Sequence, residues 1–392
     1  MLSFNLDKGN CTGCSACYAI CPKHCIFMKK DAEGFIYPEV GDGCISCGLC
    51  EKVCPNVHDK PIQTFKKRAF AATAKDENIW RRSASGGAFS CICKAFGDEK
   101  TLVVGAAWDG LKVHHVGIVG VDNIVPLCKS KYVASQLEDT FQEIKNHLRT
   151  GEKAIFCGTP CQVAGLNAFL QKSYSNLLTI DLICHGVGSP YVFEEAITAI
   201  GEQAGDKVLS YEFRHKNRRY ESDYITSVVF ENQGRKQLIN DQYMQLFLSQ
   251  ISLRPSCGKN CKYRNPNRPG DITIADARGL KYFIHKAYDT TRNYTHVVVN
   301  TEKGLNAIEN ISKYMVIYPC EVSDVTRFNP LFERHTVFNE DRNKFFEEFV
   351  KDGPKTIGKY TKNYKIKKMT WKSLLRFYFP KVIVMAIDRM RR

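Results

Sequence analysis

The stretch CTGCSACYAICP, residues 11–22, places four cysteines at the spacing C-x2-C-x2-C-x3-C and ends in proline. The same spacing returns in CISCGLCEKVCP, residues 44–55. Such runs ligate [4Fe–4S] clusters in two-cluster bacterial ferredoxins, where the fourth cysteine of each run binds the other cluster. We therefore expect two clusters on two cysteine sets: Cys11, Cys14, Cys17 and Cys54 for the first, and Cys44, Cys47, Cys50 and Cys21 for the second.

Zinc is the alternative occupant, since paired C-x2-C motifs also form structural zinc sites. A doubled run that ends in proline favours iron–sulfur clusters. Small residues among the thiols also favour clusters, because they let backbone N–H groups approach the sulfur atoms: Gly13, Ser15, Ala16, Ser46 and Gly48. Cys25 is surplus to both sets and is expected to pack as a small apolar residue.

The composition is that of an ordinary globular protein, with 392 residues, 44% of them hydrophobic, and a core large enough for two or three domains. The opening residues MLSFNLDK lack the features of a secretory signal peptide, so we expect reduced thiols and a cytoplasmic location for the 18 cysteines. Much of the net charge of +15 comes from the segment that starts at Lys355, which holds 12 Lys and Arg against one Asp. We expect no nucleic-acid partner, because the rest of the chain is nearly balanced.

Apolar strand-like runs alternate with helical candidates from residue 69 onward. The strand-like runs are residues 102–107, 154–157 and 177–183, and the helical candidates lie near 86–97, 135–149, 161–171 and 189–203. This alternation favours a layered α/β core, beside which the runs 208–214 and 224–239 predict antiparallel strands, as in an α+β fold. We predict a ferredoxin-like domain at 1–59, an α/β body at 69–355 and a basic amphipathic tail at 356–392.

Nine further cysteines lie in the body, and four of them occur in distinctive local sequences: Cys161, Cys184, Cys257 and Cys261. The first two follow predicted strands, where open α/β sheets place their ligand-binding loops. A third [4Fe–4S] cluster on these four residues is one interpretation. Buried structural cysteines are the other, and they are common in protein interiors.

Six segments of the body resemble the coenzyme F420 hydrogenase/dehydrogenase beta-subunit family. They are SGGAFS (85–90), KSKYV (129–133), FCGTPCQVAGL (156–166), DLICHGV (181–187), RPSC (254–257) and DITIAD (271–276). The resemblance covers about residues 1–330, including the ferredoxin-like front that many members carry. It implies FAD beside an iron–sulfur cluster, and it does not imply one substrate.

Ser85, Gly86 and Gly87 open a predicted helix, where free backbone N–H groups could hold the FAD pyrophosphate. An ordinary helix start is the structural alternative. We expect further phosphate or flavin contacts from Lys129, Lys131, Gly158 and Thr159, for which a solvated face and a plain β-to-α turn are the alternatives. Asp276 and His185 are candidates for flavin contact or proton handling, against structural hydrogen bonds.

The residues together predict an iron–sulfur flavoprotein oxidoreductase. Its clusters would pass single electrons between a low-potential carrier, such as ferredoxin or a deazaflavin, and FAD, which would exchange two electrons with a small organic substrate. The alternative is an electron-relay subunit of a larger redox complex with no substrate of its own. A non-redox structural or regulatory protein is the third interpretation, which the two complete motifs disfavour.

The segment WKSLLRFYFPKVIVMAI, residues 371–387, mixes cations with large apolar side chains. Its apolar run is shorter than a membrane-spanning helix requires. Such a segment suits peripheral contact with the inner membrane face, docking on a protein partner, or a plain helix packed on the body.

The two cysteine runs predict the metal content of protein purified without oxygen. We expect about eight irons or more per chain and a visible absorption that bleaches on reduction. Cys14→Ala and Cys47→Ala should each lose one cluster, because each removes one of four thiolates. Iron and sulfide analysis measures both effects, and zinc without iron or sulfide would contradict the assignment.

Overall fold

The structure is a computed structural model that describes residues 7–57, 65–216, 225–238, 241–258, 261–334 and 339–362. Most of the segment between the predicted front and body, and the predicted tail after residue 362, lie outside the described residues.

The described elements alternate between strands and helices along most of the chain. The strands are β1 (Ile26–Lys30), β2 (Ile36–Val40), β3 (Arg68–Ala74), β4 (Leu102–Asp109), β5 (Lys112–Val119), β6 (Ala154–Gly158), β7 (Leu177–Leu182), β8 (Val208–Glu212), β9 (Thr226–Phe230), β10 (Gly234–Leu238), β11 (Ile272–Asp276), β12 (Thr295–Val299) and β13 (Met315–Cys320). The helices are α1 (Ala16–Ile20), α2 (Leu49–Lys52), α3 (Glu77–Arg81), α4 (Ala88–Phe96), α5 (Thr140–Arg149), α6 (Pro160–Leu170), α7 (Pro190–Ala204), α8 (Gln242–Leu248), α9 (Glu302–Ala307), α10 (Val322–Phe328), α11 (Arg342–Asp352) and α12 (Pro354–Lys362).

The body is built on a mixed eight-stranded sheet with the order β13-β3-β12-β11-β7-β6-β4-β5. The four central strands β11, β7, β6 and β4 run parallel, and antiparallel strands flank them on both sides. The predicted layered α/β core is therefore confirmed. The predicted antiparallel strands are also present, as a separate sheet of order β10-β9-β8.

Side chains alternate between the two faces of the sheet, as a strand buried on both sides requires. On β6, Ile155 packs in a cluster with Cys91 and Ile92 of α4. Its neighbour Phe156 points the other way, into a cluster with Phe141 of α5 and Val163 of α6. The sheet thus carries helices on both faces, and the helices predicted near 86–97, 135–149 and 161–171 are those that cover it.

A second core joins the three-stranded sheet to α7, α8, α11 and α12. Ile357 of α12 is fully buried in this core, and Tyr360 packs edge-on against Phe345 of α11 at 5.1 Å. The predicted boundary between body and tail at 355/356 falls inside α12, so residues 356–362 pack with the body. Local composition misplaced this boundary because the exposed face of the helix is as basic as the segment that follows it.

The cysteine-rich front folds around a β1–β2 hairpin and the short helices α1 and α2. The residues flanking the second cysteine of each run have left-handed backbone: φ is 66° at Gly13 and 60° at Ser15, and 52° at Ser46 and 71° at Gly48. This backbone conformation is uncommon for residues other than glycine. Its repetition in both runs gives the front an approximate internal symmetry.

The front packs closely on the body through α1 and α6. At Gly165 of α6, an added Cβ would lie 2.8 Å from Cys14 Cβ and 3.0 Å from Cys14 O. Gly165 is therefore the point where the first cysteine loop approaches a body helix. Tyr18 OH adds a hydrogen bond of 2.8 Å to Asp139 Oδ1, and Gln142 Nε2 donates to Ala19 O at 2.7 Å.

Two helical glycines allow a matched test of this contact. Gly165→Ala improves helix propensity but pushes Cβ into Cys14, so we expect a net loss of about 1–3 kcal/mol in unfolding free energy, as overpacking typically costs. Gly358→Ala in α12 meets no atom within 4 Å and should stabilise by about 0.5–1 kcal/mol. Anaerobic denaturant unfolding and iron content compare the two variants. Equal stabilisation by both would contradict the close contact.

Candidate iron–sulfur centres

The four cysteines expected for the first cluster line one cavity, which we call the first cavity. Its lining includes Cys11, Cys14, Cys17 and Cys54, together with Met28, Pro38 and Pro55. Cys54 comes from the second run, and its place beside three cysteines of the first run is the one that the expected exchange of the fourth cysteine requires. Cys11, Cys14 and Cys54 are each less than 9% exposed, which places this cavity under the front's surface.

The other four expected ligands line a second cavity at the front's surface. Cys21, Cys44, Cys47 and Cys50 all border it, and Cys44 and Cys47 are exposed to solvent. Cys25 also borders this second cavity, and it packs with Cys21 and Ile26 in a small apolar cluster, as expected. Its Sγ lies 3.5 Å from Cys21 Sγ.

The four cysteines considered for a third cluster also line one cavity, which we call the body cavity. It is lined by Cys161, Cys184, Cys257 and Cys261. Cys161 lies in the first turn of α6, just after β6, and Cys184 follows β7, so both stand at the carboxyl ends of adjacent parallel strands. Such ends are where open α/β sheets bind ligands.

A buried ion pair holds the loop that carries the other two cysteines. Arg268 Nη2 donates to Asp181 Oδ1 of β7 at 2.8 Å, and the two side chains are 1% and 0% exposed. Asp181 Oδ2 accepts from Gly270 N at 2.9 Å. Removing one partner of such a pair leaves a buried charge, which costs about 3–5 kcal/mol. Arg268 and Gly270, which follow Cys257 and Cys261 in the chain, are thus anchored beside β7.

Burial raises the pKa of several thiols at these cavities. Burial raises the pKa of Cys14 to about 12 and the pKa of Cys257 to about 12. Burial also raises the pKa of Cys184, and nearby Cys257 adds to the effect. A thiol with such a pKa stays protonated at neutral pH unless a metal displaces the proton, so iron binding here must release protons.

Buried hydroxyl groups that have no hydrogen-bond partner among the described residues line the same cavities. Thr12 Oγ1 and Ser15 Oγ border the first cavity, and Ser256 Oγ and Tyr263 OH border the body cavity. A buried hydroxyl that lacks a hydrogen bond costs about 1–3 kcal/mol. Cluster sulfur atoms would supply the missing acceptors. The donor set and its surroundings therefore fit iron–sulfur clusters in both cavities.

Arg254 lies between the first cavity and the body cavity. Its Nε donates to Cys11 O at 2.9 Å and its Nη2 donates to Ile36 O at 2.8 Å, and the residue is 2% exposed. Its guanidinium stacks over the Tyr37 ring at 4.2 Å. Thr12 and Gly13 border both cavities, so one loop of the front forms part of the wall between them.

Two more buried arginines border the body cavity, Arg264 and Arg268. Arg264 Nη2 donates to His185 O at 2.8 Å. Three guanidinium groups therefore border this cavity, and that of Arg268 pairs with Asp181. A cluster bound by four thiolates is an anion, so its charge is complementary to this lining.

Within the described ranges, no three Cys, His, Asp or Glu side chains converge on a point that could hold a single metal ion. The thiols of each set instead stand around a cavity. None of the described helices is long and apolar enough to cross a membrane.

The residues expected to hold the FAD pyrophosphate are engaged by the protein itself. Ser85 Oγ donates to Tyr294 O at 2.7 Å, and Gly86 N donates to Thr295 Oγ1 at 2.8 Å. An added Cβ at Gly86 would lie 2.3 Å from Ala72 O. Close packing against β3 and β12 therefore explains this glycine, rather than space for a phosphate.

Gly87 caps α4 with φ of 90°, and an added Cβ would lie 3.0 Å from Ala74 Cβ. Any side chain at Gly87 would strain the backbone whether or not a phosphate binds there. Substitution of Gly87 would therefore not report on flavin binding.

The other expected flavin contacts are paired within the protein too. Lys129 forms an ion pair with Glu212, and Lys131 Nζ donates to Cys128 O at 2.7 Å and to Pro126 O at 3.1 Å. The two lysines therefore do not form the solvated face that was the alternative. The Lys129 side chain is only 18% exposed, and Lys131 is held by two carbonyl groups.

The turn after β6 and the end of β11 follow the same pattern. Thr159 N donates to Gln162 Oε1 at 2.9 Å, and an added Cβ at Gly158 would lie 3.0 Å from that same oxygen. Both carboxylate oxygens of Asp276 lie 2.8 Å from Arg214 Nη1. The eight residues expected to contact the flavin are therefore bonded to, or packed closely against, groups of the protein.

His185 makes a structural hydrogen bond, with Nε2 3.3 Å from Phe247 O. Burial lowers the pKa of His185 to about 4, so its ring is neutral at pH 7. A neutral ring hydrogen-bonded to a carbonyl matches the structural alternative.

Sequence reasoning missed several residues of these sites. Arg254 stood in the quoted RPSC motif, and its place directly before a cysteine loop was the available signal. Cys25, Thr12, Ser256 and Tyr263 carried no signal, because only the folded chain brings them to the cavities.

Comparison with known proteins matches two parts of the chain to family models. Residues 10–57 match a 4Fe-4S dicluster domain, and this range contains the eight cysteines expected to bind the two front clusters. Residues 151–325 match the C terminus of the coenzyme F420 hydrogenase/dehydrogenase beta subunit, and this range contains the four cysteines that line the body cavity.

Two curated proteins show more distant similarity. An uncharacterized ferredoxin of Methanocaldococcus jannaschii is 36% identical over 50 residues, which are 13% of this chain and 65% of the ferredoxin. Acetyl-CoA decarbonylase/synthase complex subunit alpha 1 of Methanosarcina mazei is 26% identical over 136 residues, which are 33% of this chain and 16% of that subunit. The chain thus spans less than two thirds of the length of either relative.

Among solved structures, a chain of the F420-reducing [NiFe] hydrogenase complex from Methanosarcina barkeri superimposes with a TM-score of 0.42 at 13% identity, covering 75% of this chain and 90% of that one. The family resemblance carried by the sequence motifs is confirmed by the two family models. The chain joins a 4Fe-4S dicluster domain to the C-terminal domain of the coenzyme F420 hydrogenase/dehydrogenase beta-subunit family.

Proposed function

We propose that this chain is an electron-relay subunit of a larger redox complex, with three [4Fe–4S] clusters. The observation that carries the proposal is the grouping of the twelve expected ligand cysteines, four of them at each of three cavities, with the first cavity and the body cavity sharing a wall. The clusters, when bound, supply one-electron transfer.

The degree of burial of the three cavities supports an order of the clusters along the relay. The second cavity has exposed thiols at Cys44 and Cys47, so a partner's redox centre can approach it from solvent. The first cavity lies deeper, under Cys11 and Cys54, and the body cavity lies beyond it. Electrons would enter or leave at the exposed end and reach the body through the buried middle.

The chain's own residues hold the relay in place and set its electrostatics. Twelve thiolates would bind the iron: Cys11, Cys14, Cys17, Cys54, then Cys21, Cys44, Cys47, Cys50, and then Cys161, Cys184, Cys257, Cys261. Arg254 would place positive charge between two anionic clusters. A nearby positive charge favours the more negative, reduced state of a cluster and so raises its potential.

The relay is favoured over a flavoenzyme by the contacts at the expected flavin site. The residues proposed for FAD pair with protein groups, as described for Lys129 and Asp276. FAD and a small organic substrate remain the finer proposal, supported by the family resemblance. Flavin bound in proportion to iron would favour it.

Partners of this relay follow from its chemistry. A low-potential carrier such as ferredoxin or a deazaflavin suits the exposed end, and the family model is named for a subunit of hydrogenases and dehydrogenases. We propose that residues 1–59 form the ferredoxin-like domain. The body, predicted at residues 69–355, would continue through α12 to residue 362. A cytoplasmic location and the membrane or partner contact of the tail stay predictions.

The body cavity predicts a third set of irons in the full chain. Cys184→Ala and Cys257→Ala should each lower the iron content by about four per chain and leave the front clusters unchanged, because the front thiols lie in other cavities. Cys91→Ala, which removes a buried cysteine of α4 outside all three cavities, is the matched control. Iron, sulfide and flavin are measured in the same anaerobic samples. Full iron content in both variants would contradict a cluster in the body.

The relay itself predicts an order of reduction. The full chain is mixed with a reduced ferredoxin, which is too large to enter the body, and is sampled by freeze-quench EPR. We expect the cluster in the second cavity to be reduced first and the body cluster later. In Cys17→Ala, which removes the cluster of the first cavity, the body cluster should be reduced many times more slowly. An unchanged rate would show that electrons bypass the front.

A further inference from the structure

The second cavity is lined by five thiols rather than four. Cys25 borders it with Cys21, Cys44, Cys47 and Cys50. Cys25 is 5% exposed, and its Sγ stands 3.5 Å from Cys21 Sγ. The first cavity, among the described residues, is lined by four cysteines. The two sites are therefore unequal in spare thiol ligands.

The backbone fixes Cys25 beside Cys21. His24 N donates to Cys21 O at 3.2 Å, which closes a turn over Pro22, and His24 takes the left-handed conformation with φ of 49°. This conformation turns the chain back, so that the side chains of Cys21 and Cys25 lie on the same side. Cys25 O then accepts from Gly41 N at 2.8 Å, which ties the residue to the hairpin.

We propose that Cys25 is a reserve ligand of the cluster in the second cavity. The proposal rests on the cluster assignment made above for Cys21, Cys44, Cys47 and Cys50. If the bond between Cys21 and iron breaks, the proton of the Cys25 thiol would pass to the released Cys21 sulfur, or to solvent where Cys21 is replaced, and the Cys25 sulfur would bind the iron that Cys21 held. No electron is transferred, so the exchange needs no oxidant or reductant.

The distances make this exchange local. The Sγ of Cys25 needs to move only within the cavity that it already borders, because its sulfur is in contact with the sulfur that it replaces. A purely packing role would need only a small apolar side chain here. The packing role and the ligand role differ in one respect: only the ligand role makes the loss of Cys21 tolerable.

The test compares four full-length variants with wild type, all purified without oxygen. Cys25→Ala should keep full iron and sulfide. Cys21→Ala should also keep both, with a changed EPR spectrum of the reduced cluster, because a different cysteine now binds one iron. The double variant Cys21→Ala/Cys25→Ala should lose about four irons. Cys17→Ala is the matched control at the first cavity and should lose about four irons on its own.

Loss of the same iron in Cys21→Ala as in the double variant would overturn the reserve role. Wild-type protein without iron and sulfide would instead overturn the cluster assignment, so the two failures are distinguishable. Cys21→Val, which fills the apolar contact with Ile26 more fully, replaces Cys21→Ala if that variant does not accumulate, and it carries the same expectation. Iron retained by the remaining clusters serves as the check of folding in each variant.

Discussion

The buried guanidinium of Arg254 is the contact on which the arrangement of the sites depends. It donates to the carbonyl groups of Cys11 and Ile36 in the front and belongs to the loop that carries Cys257 in the body. Its hydrogen bonds therefore fix the front relative to the body at the place where two thiol cavities share a wall. Lysine could not make these contacts equally well, because only the guanidinium offers several donors in a planar fork.

The sites differ in exposure along one direction, and their surroundings change accordingly. The second cavity has exposed thiols and a fifth cysteine. The body cavity is lined by buried arginines and by hydroxyl groups that have no hydrogen-bond partner within the described part of the chain. Buried anionic clusters need compensating charge and hydrogen-bond donors, since water cannot supply them there. A solvent-exposed cluster needs less of both. The body thus supplies by side chains what solvent supplies at the front.

Much of the fold follows from local patterns that the chain carries openly. The spacing of the front cysteines, the apolar runs of β4, β6 and β7, and the helices that follow them all act over short sequence distances. Local patterns do not predict the first strand of the front hairpin, because Ile26–Lys30 is short and ends in lysines. The left-handed backbone at Ser15 and His24 is seen only in the folded chain, because neither residue type requires a positive φ.

The sequence by itself determined that the front holds eight cysteines in the ferredoxin spacing and that an α/β body follows, because both are written in short repeating patterns. Only the tertiary structure decided which residues meet across long sequence separations. It brought Cys161 and Cys184 together with Cys257, placed Arg254 against Cys11, and set Cys25 beside Cys21 in a cavity. It also packed Gly86 closely against the backbone of Ala72 and Thr295 in two strands of the sheet. Such contacts depend on how the strands are ordered in the sheet, and a local pattern does not encode that order.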